Sequence, residues 1–341
     1  MIRHCLIGLI WLLSCTTVYS QDSLDVISFA LVGDIMLGNN YPEPILPPDG
    51  GREMLRSAHP YLMAADVAIG NLECAITSEQ ECAKTINEGM VYAFRMPPFL
   101  AGRLREAGFD VLSTANNHSM DFGLSGRSDT KMILEALGIA QTGMRDQAAI
   151  VDVDSVRIAV IGFSPYDADN SLLDIDRAVA LVDSMDESAD LIVVTFHGGA
   201  EGADNIHLGD TMEVYLGEER GDLRRFSYAV IDAGADIVFG HGPHVPRAME
   251  VYSGRLIAYS LGNFCTYWGL NVRESSGFAP LLWVELSQTG ELKKLRIISF
   301  EQQTNHYPIL DESDRAGKLM IELSRTDIGS VHPLIEGAIA E

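Results

Sequence analysis

The sequence predicts an α/β fold, organised as one domain around a largely parallel sheet, with a mixed or second sheet added late in the chain. Two observations carry this. Short apolar runs alternate in steady order with amphipathic stretches, many of them closed by glycine, which is the pattern of βαβ units. Near the end, apolar runs flank a turn sequence and read as a hairpin. No internal repeat, low-complexity tract or long linker divides the chain.

Taken in order, residues 27–32 (ISFALV) form a buried strand ending in Gly33-Asp34. Residues 67–70 form a second strand that runs into Asn71-Leu72-Glu73. Residues 99–107 have helical periodicity and stop at Gly108, and residues 111–114 are a strand leading to Asn116-Asn117-His118. Residues 128–137 are a helix closed by Gly138, a glycine C-cap. Residues 150–153 and 157–162 pair around Asp154-Ser155. The wholly apolar strand 191–196 enters His197. A helix over 223–233 ends at Gly234, and strand 237–239 then reaches Gly240-His241. Strand 256–259 is followed by Ser260-Leu261-Gly262-Asn263, strands 281–286 and 295–300 flank Thr289-Gly290, and a helix near 313–323 follows.

Composition narrows the function. The chain has 341 residues, 47% hydrophobic and 21% charged, which is the profile of a globular protein and not of a disordered one. Its 24 Lys+Arg against 48 Asp+Glu give a formal charge of -24. That balance, with no clustered basic residues, argues against nucleic acid as a partner and against docking on an anionic membrane surface. Five cysteines are too few for a disulfide scaffold or a zinc-finger array.

The first residues read as an export signal. Arg3 and His4 precede an uncharged apolar run, residues 5–13 (CLIGLIWLL), far shorter than a membrane span. Residues 1–20 are thus expected to be a signal peptide, cleaved before Gln21. Alternatively, Leu12-Leu13-Ser14-Cys15 is a loose lipobox, and Cys15 would carry a lipid anchor. Either way the mature protein is expected to be exported, in the periplasm or at the cell envelope. In an oxidising compartment Cys74 and Cys82 are a candidate disulfide closing a small polar loop, which leaves Cys265 unpaired and buried.

The polar residues are informative by position. Asp34, Glu73, Asn117, His118, His197, His241 and His244 each follow an apolar strand. In open α/β sheets ligands gather at the carboxyl ends of strands, so these side chains are expected to converge on one rim. Carboxylate, amide and imidazole donors suit a divalent metal of the manganese, iron or zinc type. Taken singly, each has a plainer reading: Asp34 as a turn cap, Glu73 as solvated surface, Asn116 and Asn117 as turn residues, His197 as a core histidine. Their shared position favours a site. Glu201 and Asn263 are candidate substrate-binding residues on the same rim. Ser260 has no base nearby for nucleophilic chemistry.

Six ordered segments also carry a resemblance. They are Gly-Asp-Ile-Met-Leu-Gly (33–38), Asn-Leu-Glu (71–73), Asn-Asn-His-Ser-Met-Asp-Phe-Gly (116–123), His-Gly-Gly-Ala-Glu (197–201), Gly-His-Gly-Pro-His-Val (240–245) and Tyr-Ser-Leu-Gly-Asn-Phe (259–264). Together they resemble the CapA family of capsule and poly-γ-glutamate synthesis proteins, which is similar in fold to the calcineurin-like metallophosphoesterases. The resemblance implies a four-layer αββα sandwich with mixed sheets over residues 27–300, followed by a helical extension, 301–341, packed on it. It implies that Asp34 and His244 serve a first metal, that Glu73 stands at the bridging position, and that Asn117, His197 and His241 serve a second. His118 would be the proton donor. Met36 stands where the phosphoesterase pattern has His, and the closing histidine pair is spaced one residue wider, so one or two metals are expected.

Two classes of function follow. One is a metal-dependent hydrolase or transferase acting on a phosphoester or on the amide of an envelope polymer or its precursor. The other is a non-enzymatic accessory that binds or guides the polymer, with a structural metal, alongside membrane subunits of a capsule synthesis and export complex.

Overall fold

The computed structural model describes residues 26–85, 92–303 and 307–339. The expected signal peptide 1–20, with Cys15, lies outside these residues. Among the described residues, no helix is long and apolar enough to cross a membrane.

The chain opens with strand β1 (Val26–Met36) and the short helix α1 (His59–Leu62), then β2 (Val67–Leu72) and a small ribbon of β3 (Ala75–Ile76) and β4 (Arg95–Met96). Helix α2 (Gly102–Ala107), β5 (Val111–Ser113), α3 (Gly123–Ala136) and β6 (Ala140–Thr142) complete the first half. The second half begins with β7 (Ala149–Val153), β8 (Val156–Phe163), α4 (Ile175–Asp183) and β9 (Leu191–His197). A hairpin of β10 (Glu213–Tyr215) and β11 (Glu218–Gly221) precedes α5 (Leu223–Asp232), β12 (Ile237–His241), β13 (Met249–Tyr252) and β14 (Arg255–Ala258). The chain then forms β15 (Asn263–Thr266), β16 (Phe278–Ser287), β17 (Leu292–Glu301), β18 (Ile309–Leu310), α6 (Arg315–Asp327) and α7 (Pro333–Glu336).

Two mixed sheets result. The first runs β18-β17-β16-β1-β2-β5-β6, with β15 also on β1; the second runs β13-β14-β12-β9-β8-β7. Within them β1, β2, β5 and β6 are mutually parallel, as are β8, β9, β12 and β14, while the late hairpin β16–β17 is antiparallel. Strand periodicity explains the layering, because successive side chains point to opposite faces. Phe29 and Leu31 of β1 join Val160, Val193 and Phe239 in a core between the sheets. Ala30 and Val32 face the other way, against Leu62, Leu104 and Leu134 of the first-half helices. Ile161, Val194 and Val238 face Val182, Phe226 and Val230 on α4 and α5. These are the four layers, helix, sheet, sheet, helix, implied by the resemblance. Because both faces of each sheet are covered, the strands read as continuous apolar runs. Met320 and Ile321 of α6 and Ile335 of α7 join the core between the sheets, so the C-terminal helices pack against the sandwich.

Local differences from the sequence reading have simple causes. The stretch 99–107 splits into a 3-10 turn at Pro98–Leu100 and helix α2, with a proline pair at its start and Gly108 at φ 111° at its end. Residues 263–266, which the sequence reading assigned to no element, form β15 parallel to β1, with Asp34 opposite Asn263. The candidate disulfide is not formed in this structure, where Cys74, Cys82 and Cys265 are free thiols. Cys74 is buried in the core under the first-half helices, whereas Cys82 packs on a separate cluster with Phe122 and Tyr41. The short loop between them thus sends the two thiols to different neighbours.

Candidate metal centre

The rim at the carboxyl ends of the parallel strands collects residues from both sheets. Gly33 allows it. A Cβ there would stand 1.9 Å from the carbonyl oxygen of Gly262, so only glycine lets β1 approach the 260–263 turn closely enough for the Asp34 amide to donate to that carbonyl at 2.9 Å. In the second sheet His197 and His241 are register partners on β9 and β12. His244 follows in a tight turn with its own φ at 58°, a conformation unusual for a residue with a side chain.

Four of the expected ligands meet. Asp34, Glu73, His197 and His241 are buried, and each offers a ligand atom within 4.8 Å of the others. His197 Nδ1 lies 3.2 Å from His241 Nδ1 and 3.4 Å from Glu73 Oε2. His241 Nδ1 is 3.6 Å from Asp34 Oδ1, and its Nε2 lies 3.2 Å from Thr195 Oγ1, which fixes the ring. His244 joins through Asp34, its Nδ1 2.9 Å from Asp34 Oδ2. Asn117 is half-buried between Asn116 and His118. Met36 is fully buried in the core.

The donor set fits a divalent cation. Glu73 Oε1, His197 Nε2 and Asn117 Oδ1 are buried with no hydrogen-bond partner among the described residues. Burying such groups unsatisfied costs on the order of 1–3 kcal/mol each, and a cation would supply the missing partner. The set is oxygen and imidazole without thiolate, as expected for a manganese, iron or zinc site.

The electrostatics agree. Burial pushes Asp34 up, but the hydrogen bond and charge of His244, then the charges of His241 and His197, outweigh it and hold the carboxyl at about 2. Burial and then the Asp34 charge raise Glu73 to about 7. Burial lowers His197 to about 3, helped by Arg220, and burial likewise lowers His241 to about 3, so both are neutral and able to ligate. For His244 burial acts downward, yet the Asp34 hydrogen bond and charge raise it to about 9.

His118 stands beside this cluster with a different set of partners. Its Nδ1 lies 2.8 Å from Asp121 Oδ2, and its ring packs on Phe94 with centroids 4.2 Å apart. Lys84 Nζ binds the other Asp121 oxygen at 2.5 Å. An imidazole held by a carboxylate at Nδ1 presents Nε2 as the working nitrogen.

The two substrate-binding candidates separate. Glu201 is partly exposed, 4.0 Å from His244 Nε2 and 2.8 Å from Arg220 Nη2. Asn263 is fully buried, and its amide donates to the carbonyls of His244, Asn271 and Ser276. It braces the loops behind Asp34, and its Oδ1 is buried with no hydrogen-bond partner among the described residues. Asn71, Asp121, Thr195 and Arg220 were not foreseen. Asp121 and Asn71 lay within quoted segments; Arg220 comes from the β10–β11 hairpin and had no sequence signal.

A family model described as Bacterial capsule synthesis protein PGA_cap matches residues 28–267. The chain is 29% identical over 257 residues to the PGA biosynthesis protein CapA of Bacillus subtilis, covering 70% of this chain and 63% of that protein. It is 30% identical over 261 residues to the capsule biosynthesis protein CapA of Bacillus anthracis, covering 70% of this chain and 59% of that protein. The chain thus spans about six tenths of the length of these relatives. Among solved structures, the calcineurin-like phosphoesterase YfkN of Bacillus subtilis superposes with a TM-score of 0.48 at 12% identity, over 90% of this chain and 99% of that one.

Proposed function

The chain belongs to the bacterial capsule synthesis protein family PGA_cap, and from that premise we propose that it is an exported, metal-dependent hydrolase or transferase acting on an envelope polymer, or its precursor, in capsule or poly-γ-glutamate synthesis. The observation that carries the metal-dependent reading is the buried Asp34, Glu73, His197 and His241 cluster, in which Glu73 Oε1 and His197 Nε2 have no hydrogen-bond partner among the described residues.

Asp34, Glu73, Asn117, His197, His241 and His244 would hold the cation or cations. When bound, a divalent metal supplies Lewis acidity and a nucleophilic water at neutral pH. The chain's own residues do the rest. With both ring nitrogens protonated, His118 would donate from Nε2 to the departing atom, while Asp121 accepts from Nδ1–H and orients the ring. Glu201, anchored by Arg220 through Oε1, can orient a substrate through Oε2, which lies 4.0 Å from His244 Nε2. In the working complex the protein would operate beside the membrane subunits that make and export the polymer, released or anchored through Cys15.

The test is metal analysis of the purified mature protein, followed by hydrolysis assays on a model phosphoester and on poly-γ-glutamate. His197→Ala is expected to lose bound metal and turnover together, and full turnover by metal-depleted His197→Ala protein would overturn the catalytic reading. Capsule assembly that survives His118→Ala but fails on metal loss would instead identify a non-enzymatic accessory with a structural metal.

A further inference from the structure

Asn71 is buried on β2, two residues before Glu73, and is the register partner of Asp34 on the neighbouring parallel strand. Its Nδ2 donates to Asp34 Oδ1 at 2.8 Å and also to Glu73 Oε2. Its Oδ1 accepts from Asn116 Nδ2 at 2.9 Å, and the same Asn116 nitrogen donates to the Leu72 carbonyl at 2.9 Å. Asn116 Oδ1 in turn accepts the backbone N–H of His118 at 3.0 Å. The sense of both amides is fixed by these partners. A flipped Asn71 would turn its carbonyl oxygen onto two carboxylates, and a flipped Asn116 would set its NH2 against the His118 N–H.

We infer that Asn71 is a positioning residue that holds Asp34 and Glu73 in ligating geometry and, through Asn116, ties them to the segment that carries His118. The chemistry explains the residue type. Two carboxylates this close repel, and a single NH2 group supplies one hydrogen to each without adding charge. Asp at this position would add a third carboxylate. Alanine would leave Asp34 and Glu73 free to part and Asn116 without its acceptor. Groups that orient metal ligands in this way typically change affinity by about 10–100-fold when removed.

This inference rests on the metal reading of the site, and its test separates the two. Cobalt(II) alone is titrated into the mature wild-type protein, Asn71→Ala and Asn116→Ala, after circular dichroism and urea unfolding show that each is folded. Visible absorption reports ligand geometry and gives the dissociation constant. Asn71→Ala should bind about 10–100-fold more weakly, with altered absorption bands. Asn116→Ala, which leaves Asn71 in place but removes the partner that fixes its sense, together with the bonds to Leu72 and His118, should shift both in the same direction by less. If Asn71→Ala does not fold, Asn116→Ala decides. Wild-type affinity and spectrum in the folded variant overturn the role of Asn71 and leave the metal site standing. Failure of the wild-type protein to take up cobalt overturns both.

Discussion

Asp34 and His244 lie 210 residues apart in the chain, yet the Asp34 carboxylate and His244 Nδ1 are 2.9 Å apart in a buried ion pair that bridges the two sheets. Each partner shifts the other. Asp34 sits at about 2 against an ordinary 3.8, and His244 at about 9 against 6.5. The lowered carboxyl stabilises the fold above its ordinary value and loses that contribution as pH falls toward 2. The raised imidazole stabilises it below its ordinary value and loses that contribution as pH rises through 9. In metal-depleted protein the pair therefore contributes fully between about pH 4 and 6.5. His244→Ala should cost about 3 kcal/mol in that window, with the difference narrowing on both sides. Urea unfolding across pH checks this, and a pH-independent difference would refute it.

Metal binding should itself depend on pH, through Glu73. Its carboxyl, raised to about 7 by burial and by Asp34, must lose its proton before it ligates. Affinity for manganese or zinc should fall as pH drops through 7, and binding at pH 6 should release protons to the buffer. Titration calorimetry in two buffers of different ionisation enthalpy measures that release. Glu73→Gln should abolish the step near pH 7, and an unchanged step would assign it to another group.

Much of this was legible in the sequence, because it depends on period and order. The strand ends carrying Asp34, Glu73, His197 and His241 follow from apolar runs that need both faces covered, and the parallel connectivity then places those ends on one rim. Asn71 was visible as a letter, but its role depends on the register that sets it opposite Asp34. Lys84 and Arg220 reach the site from the 77–85 loop and the β10–β11 hairpin, whose placement no local pattern fixes. Asn263 shows the converse, since its position at the rim was foreseen while its complete burial was not. Spacing also suggested the Cys74–Cys82 pair, whereas the two thiols are free and pack on different clusters.

His118 should matter for turnover and not for metal. It bonds Asp121 and packs on Phe94, and it lies outside the four-residue ligand cluster. His118→Ala should retain wild-type metal content while model phosphoester turnover falls about 10²–10⁴-fold, the usual worth of a positioned general acid. Asp121→Asn keeps the shape but removes the charge that holds the imidazole, so turnover should fall in the same direction. Loss of metal from His118→Ala would make the residue a ligand, and undiminished turnover would remove it from the chemistry.

The approach of β1 to the 260–263 turn should be the least tolerant point of the rim. At Gly33 an added Cβ would meet the Gly262 carbonyl oxygen at 1.9 Å and its carbon at 2.9 Å, both backbone atoms that no rotamer change can move. To admit alanine the strand must separate from the turn, which breaks the 2.9 Å hydrogen bond from the Asp34 amide to Gly262 and displaces Asp34 from His244. Gly33→Ala should therefore cost about 3 kcal/mol or more and reduce metal content in whatever protein still folds. Gly102→Ala is the control: a Cβ there meets nothing within 4 Å at the start of α2, so stability should stay level or rise by roughly 0.5 kcal/mol. Urea unfolding and metal analysis of both variants decide the matter, since equal behaviour would show that the close approach at Gly33 does not position Asp34.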